Sequence, residues 1–134
     1  GDHPKAIGKT KSGVYAYDPY TGEQLWSYEA KERCSDNTFF CHSGLSAAIS
    51  STDEILFAGN LNGVWYAFST MTGESVWEFD TRREFQGINS IPAVGGTIDA
   101  TGPVISKRMI YINSGYGGYG KLAGNALIAF EIID

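Results

Sequence analysis

The chain has 134 residues, 43% apolar and 19% charged, which suits a folded domain with a real core and excludes a disordered segment. A formal net charge of −5 argues against a nucleic-acid partner, because a phosphate backbone is met by a basic face. No apolar run approaches the ~18 residues of a membrane-spanning helix.

Residues 1–11 are polar, with Pro4, and read as a leader or as the remnant of a preceding strand. Gly1 in place of an initiator Met reads as a processing site or the start of a fragment. Residues 13–18 and 24–30 form a hairpin about Thr21-Gly22-Glu23, a turn signal because Gly accepts backbone angles that other residues avoid. Residues 31–43 are a loop holding Cys34 and Cys41. The small residues of 45–50 suit an innermost strand, and 54–60 is the next strand. Asn62-Gly63 is a hairpin signal that leads into strands at 64–69 and 75–80. Residues 81–100 read as a long loop, followed by strands at 101–106, 108–114 and 124–132.

The organising feature is a repeat. Ser12–Trp26, SGVYAYDPYTGEQLW, returns as Gly63–Trp77, GVWYAFSTMTGESVW, with an offset of 51. That offset places Ala16 on Ala67, Gly22 on Gly73 and Trp26 on Trp77. A weaker third copy is NALIAFE at 125–131. A repeat of ~40–50 residues indicates propeller blades, each needing a neighbour to bury its faces. The expected fold is all-β, a partial β-propeller of two to three four-stranded antiparallel blades in one domain. Its blades are an outer hairpin at 12–30, a full blade at 44–80 and a third at 100–134 lacking its fourth strand. Ala16, Gly22, Trp26, Ala67, Gly73 and Trp77 are the expected blade-docking positions, and Trp65 is expected in the core. The long loops at 31–43, 81–100 and 115–123 fall on one end of the blades, where a rigid scaffold places function.

The pattern Ala-x-Asp-x-x-Thr-Gly-x-x-x-Trp, met at Ala16, Asp18, Thr21, Gly22 and Trp26, resembles the repeat of pyrroloquinoline quinone (PQQ) propellers. The second copy keeps Ala67, Thr72, Gly73 and Trp77, with Ser69 in place of the Asp. Residues 77–132 resemble the C-terminal part of periplasmic PQQ-dependent alcohol dehydrogenases of the polyvinyl alcohol dehydrogenase type, and 34–63 do so more loosely. The resemblance implies an eight-bladed ring with PQQ and calcium at its centre, electron transfer to a cytochrome c, and a periplasmic or secreted location. The family's domain is several times longer, so the chain is expected to be a fragment that is inactive alone. Its partners are then the remaining blades, or other copies of the chain that close a ring. The rival expectation is a non-catalytic scaffold that binds other proteins, since this repeat also serves outer-membrane protein assembly.

Four groups of side chains are candidates for chemistry. Arg82, Asn89 and Asp99 are expected on a cofactor wall, Arg to grip a quinone carboxylate and Asn or Asp to hold calcium or orient an alcohol proton. Each is equally a solvated loop residue, and Asp99 a turn residue bonding its own backbone. Tyr116 and Tyr119, in SGYGGYGKLAG, are expected on a substrate rim, the alternative being a wide glycine hairpin. Cys34 and Cys41 are read as a loop disulfide, with free thiols or a zinc site using His3 or His42 as alternatives. Their spacing does not match haem attachment, and two histidines in polar stretches support no Ser-His-Asp constellation.

Overall fold

The structure is a computed structural model that describes residues 11–34 and 41–133. His3, most of the expected leader, the middle of the cysteine loop and Asp134 lie outside the described residues. Strands β1 (Gly13–Tyr17) and β2 (Gln24–Glu29) make an antiparallel hairpin. Strands β3 (Ser50–Ser51), β4 (Ile55–Gly59), β5 (Val64–Ser69) and β6 (Ser75–Asp80) follow in spatial order as one antiparallel sheet. A small hairpin, β7 (Glu84–Gln86) and β8 (Pro92–Val94), comes next. The last sheet orders β9 (Val104–Ser106), β10 (Met109–Ser114) and β11 (Ala126–Glu131) as β11-β10-β9. Among the described residues there is no helix, and the fold is all-β with blades of a partial propeller.

The repeat is reproduced bond for bond. Gly22 donates its amide to Asp18 and Gly73 donates to Ser69, each at 2.9 Å. The Asp18 amide donates to Glu23 at 2.8 Å, and Ser69 to Glu74 at 2.9 Å. Both glycines take positive φ, 74° and 72°. The Asp18 carboxylate accepts the amides of Tyr20 and Thr21, both at 2.8 Å, and Ser69 Oγ accepts Thr72 at 3.3 Å. Asp and Ser therefore exchange in the repeat because both cap the same turn. Each hairpin carries an irregularity at one place: Ala16 faces Trp26 and Tyr17 faces Gln24, while Ala67 faces Trp77 and Phe68 faces Ser75. The skipped residues, Leu25 and Val76, are exposed.

Two apolar interfaces stack the three main sheets. Val14, Trp26 and Tyr28 of the first pack on Ala58, Val64, Tyr66 and Phe68 of the second. Phe57, Trp65 and Ala67 on its other face meet Ile110 and Ile112 of the third, with Ile98 and Phe130. Alternation along β5 produces this: Trp65 and Ala67 point one way, Val64, Tyr66 and Phe68 the other. Both faces are buried, so the strand reads as a continuous apolar run.

Two expectations are corrected. The innermost strand is only Ser50–Ser51, the rest of 45–50 running alongside residues 100–103 through Ala48 to Ala100 (3.4 Å) and Ser50 Oγ to Pro103 (2.8 Å). The stretch 81–100 is not one exposed loop: it holds the β7–β8 hairpin, and residues 95–98 are buried between sheets. Gly95 allows close backbone approach, a Cβ there colliding with the Thr81 carbonyl. The buried backbone is satisfied by Gly95 to Arg83 (3.0 Å), Thr97 to Leu122 (2.9 Å) and Ile98 to Asn60 (3.3 Å). Ser114 Oγ reinforces it, 2.6 Å from Thr81 Oγ1 and accepting the Gly96 amide at 2.8 Å.

Candidate functional site

The expected docking positions divide. Trp26 lies on the turn of the next blade: its indole N–H donates to the Thr70 carbonyl at 2.8 Å, and a Cβ on Gly73 would enter its ring. Ala16 opposite Trp26, and buried Ala67 opposite Trp77, leave the rings room. Trp77 meets the third sheet edge-on through Phe130, 5.2 Å between ring centroids, yet stays 40% exposed. It lines a cleft of about 630 Å³ with Phe57, Trp65, Ile110, Phe130 and Ile133. Gly22, expected to dock, has nothing within 4 Å of where a Cβ would stand, so its role in the described structure is the turn alone.

The cysteines are joined by a disulfide, with Cα atoms 5.5 Å apart. Beside it, Arg33 Nη2 donates to both carboxylate oxygens of Glu78 at 2.7 and 2.8 Å, and Glu32 accepts Ser43 Oγ at 2.6 Å. Those contacts hold the Glu32 carboxyl below its ordinary range, the Ser43 hydroxyl most of all. His42 is exposed, and among the described residues no group of three or more His, Cys, Asp or Glu is placed to hold a metal.

Arg82 and Asn89 do not line a common site with Asp99. Arg82 forks onto Asp80 through Nε (3.1 Å) and Nη2 (2.8 Å), and Nη1 lies 3.8 Å from Cys41 Sγ. The pairing lowers the Asp80 pKa and raises that of Arg82. The reason is local: Asp80 stands two residues away and reaches the guanidinium before any ligand could. Asn89 sits at the tip of the β7–β8 hairpin, where its side-chain oxygen accepts the Ile91 amide at 3.1 Å. Tyr119, φ 55° and 94% exposed, is at the outer tip of its loop.

Asp99 and Tyr116 are brought together. They line a cavity of about 400 Å³ with Thr101, Asn113, Ser114, Asn125 and Leu127. Three segments build it: residues 99–101 before β9, the end of β10, and the start of β11. The register sets Asn113 opposite Leu127, on the strand face away from buried Ile112 and Ser114. The loop 115–124 is not a loose glycine hairpin. Its first two amides, Gly115 and Tyr116, donate to the Thr97 carbonyl at 2.9 and 3.0 Å, and Leu122 donates to Thr97 Oγ1 at 3.0 Å. Asp99 is fixed through one oxygen, which accepts Ser46 Oγ at 2.7 Å and the Ala100 amide at 2.8 Å. Its other oxygen has Lys121 Nζ at 3.9 Å.

Asn113, Asn125, Thr101 and Lys121 were not singled out from sequence. The one available signal was Asn113, a polar residue inside the strand MIYINS. Asn125 is tied by its side-chain oxygen to the Val94 amide at 2.8 Å, a partner 31 residues away.

The cavity does not match a PQQ cradle. PQQ carries three carboxylates, whereas the lining offers a carboxylate of its own, and the nearby ammonium of Lys121 already faces that carboxylate. Arg33 and Arg82 are committed to Glu78 and Asp80.

Comparison with known proteins agrees with the fold. The chain is 37% identical over 132 residues to a polyvinylalcohol dehydrogenase of Pseudomonas sp., covering 91% of this chain and 21% of the relative. It is 34% identical over 140 residues to the polyvinylalcohol dehydrogenase of Sphingopyxis sp. (strain 113P3), covering 96% of this chain and 21% of that one. The chain thus spans about a fifth of the length of these relatives. Among solved structures, BamB from Moraxella catarrhalis superimposes with a TM-score of 0.60 at 23% identity, over 91% of this chain and 32% of that one. A family model, PQQ_2, described as outer membrane protein assembly factor BamB, matches residues 10–134. With its Thr-Gly turns and tryptophan joints in place over that span, the chain belongs to the PQQ_2 repeat family.

Proposed function

We propose that these residues are a segment of a PQQ-dependent alcohol dehydrogenase that oxidises a primary or secondary alcohol and passes electrons to a cytochrome c. The observation that carries this reading is the identity of 37% and 34%, over more than nine-tenths of the chain, to two polyvinylalcohol dehydrogenases. The likeness to BamB is lower, 23%, and supports the fold alone. In this reading the quinone supplies the redox chemistry, and the groups that hold it and its calcium ion come from outside the described residues. The contribution of this segment is a cavity wall with a fixed carboxylate, Asp99, and a hydroxyl-bearing ring, Tyr116. The disulfide supports a periplasmic or secreted location, where thiols stay oxidised.

The test is a chimera. The 134 residues replace the matching fifth of the Sphingopyxis enzyme, and alcohol-dependent dye reduction is measured with PQQ and calcium. Turnover is the expected result, and no turnover from the 134 residues alone under the same conditions. A folded chimera that binds PQQ yet oxidises no alcohol refutes the reading.

A second reading, a non-catalytic scaffold, is favoured by the family description as an outer membrane protein assembly factor. A full-length protein that shows no saturable PQQ binding with calcium present supports it over the enzyme.

A further inference from the structure

We infer that the Cys34–Cys41 bridge is a thiol–disulfide exchange site of fixed polarity, at which a small thiol bearing an ammonium group becomes attached to Cys34 while Cys41 leaves as a thiolate. The inference is independent of the dehydrogenase reading and rests on how differently the two sulfurs are set.

Exchange begins when a thiolate attacks one sulfur of the bridge. It favours the more accessible sulfur and the leaving thiol of lower pKa. Access selects Cys34 for attack, because it is half-buried whereas Cys41 is buried at 8% exposure. Charge selects Cys41 as the leaving group. Arg82 Nη1 faces its Sγ at 3.8 Å, and the fork of Nε and Nη2 onto Asp80 holds the guanidinium in that place. A guanidinium beside a sulfur favours its thiolate form. The contacts of Cys34 are of another kind. Its Sγ lies 3.7 Å from Ser43 Oγ, and its amide donates to Glu32 Oε1 at 2.8 Å. That carboxylate is exposed and kept ionised, chiefly by the Ser43 hydroxyl. It therefore repels an incoming anion and attracts a cation, which sets the class of thiol.

The chemistry balances in two steps. The incoming thiolate bonds to Cys34 Sγ, the Cys34–Cys41 bond breaks, and its electron pair goes to Cys41 Sγ beside Arg82. This is an exchange with no net oxidation. A second thiolate attacking the attached sulfur then releases Cys34 and a small disulfide, so two thiols supply the two electrons that reduce the bridge. Attack by Cys41 on Cys34 Sγ expels the thiol instead and restores the bridge, which makes Cys41 the resolving residue. The surrounding frame survives opening, because Arg33 stays on Glu78 and Ser43 Oγ still accepts Asn62 Nδ2 at 3.4 Å.

The experiment treats the 134-residue chain with cysteamine or with 2-mercaptoethanesulfonate at equal thiolate concentration. Excess N-ethylmaleimide stops the reaction, and peptide mass spectrometry locates both tags. Cysteamine on Cys34 with maleimide on Cys41 is expected in about tenfold excess over the reverse. Cysteamine should attach about fivefold faster than the sulfonate, and Glu32→Gln should remove that preference. Arg82→Gln should slow attachment about tenfold, and Arg82→Lys should restore most of the rate. A variant that merely loosened the loop would react faster, so slowing is not a folding effect. The proposal is overturned by adducts shared equally or placed on Cys41, or by Arg82→Gln reacting at the parental rate or above. It is equally overturned by a thiol preference that Glu32→Gln leaves intact, or by a bridge that neither thiol opens. No turnover is measured, so this site and the dehydrogenase reading can each fail alone.

Discussion

The two joints between sheets are built from the same repeat and are not equally complete. At the first, Trp26 is capped by the Thr70–Gly73 turn, with its N–H bonded and a glycine lying against its ring. At the second, Trp77 stands at the same repeat position, meets Phe79 and Phe130, and keeps 40% of its surface open. The same residue type at the same strand register is thus a half-buried, hydrogen-bonded lock in one place and a cleft wall in the other. A sequence repeat specifies the hairpin, while the value of its tryptophan depends on the turn set against it.

Matched substitutions break this comparison most directly. Gly73→Ala is expected to cost about 2–4 kcal/mol, since it adds a clash with Trp26 to the strain of positive φ. Gly22→Ala, at φ 74° with open space beside it, should cost about 1 kcal/mol, the strain alone. Urea unfolding midpoints read both, and equal losses would show that the ring on Gly73 contributes nothing. Trp26→Ala should likewise lose about 3 kcal/mol and Trp77→Ala about 1–2 kcal/mol, because less surface is buried at the second joint. A larger loss at Trp77 would reverse the ranking.

A smaller effect sharpens the second joint. Ser114→Ala leaves the Gly96 amide short of a partner where residues 95–98 pass between sheets, while Thr81 Oγ1 keeps the Gly63 carbonyl at 2.6 Å. About 1–3 kcal/mol is expected, read by the same unfolding curve. An unchanged midpoint would mean that the neighbouring backbone bonds hold that segment without it.

pH separates the joints more gently. Burial pushes the Tyr66 phenol of the first joint well above its ordinary value. A raised folded pKa means that the unfolded chain releases this proton first, so stability is intact below about pH 10 and falls above it, by at most about 1.4 kcal/mol per pH unit. Phenolate absorbance should show one tyrosine ionising only as the fold opens, and Tyr66→Phe should flatten the alkaline decline. The Asp18 carboxyl is held below its ordinary value by the amides of Thr21 and Tyr20. A lowered folded pKa means stability present above about pH 4 and lost as pH falls through the folded value. Asp18→Asn keeps an acceptor for both amides and should remove only that acid dependence, the smallest of these effects.

Residue patterns within one hairpin were legible without coordinates. The Thr-Gly turns, the Ala–Trp pairs and the strands at 64–69 and 75–80 depend on residues within about a dozen positions of one another, and chain geometry leaves them few alternatives. The Arg82–Asp80 pair is as local, two residues apart, although the sequence reading named Arg82 without its partner. Asp99 and Tyr116 could be singled out as candidates, but not the cavity lining they share with Asn113 and Asn125.

Local sequence determined which segments become hairpins, where glycine must turn the chain, and which face of each strand is apolar, because those outcomes are set by backbone sterics and a period of two. Tertiary structure alone decided that residues 95–98 are buried and that Asn113, Asn125 and Asp99 share a cavity. It also decided that one tryptophan is capped while its twin lines a cleft. Each of those depends on how one sheet is set against the next, a relation between residues 31 to 53 positions apart that no local pattern encodes.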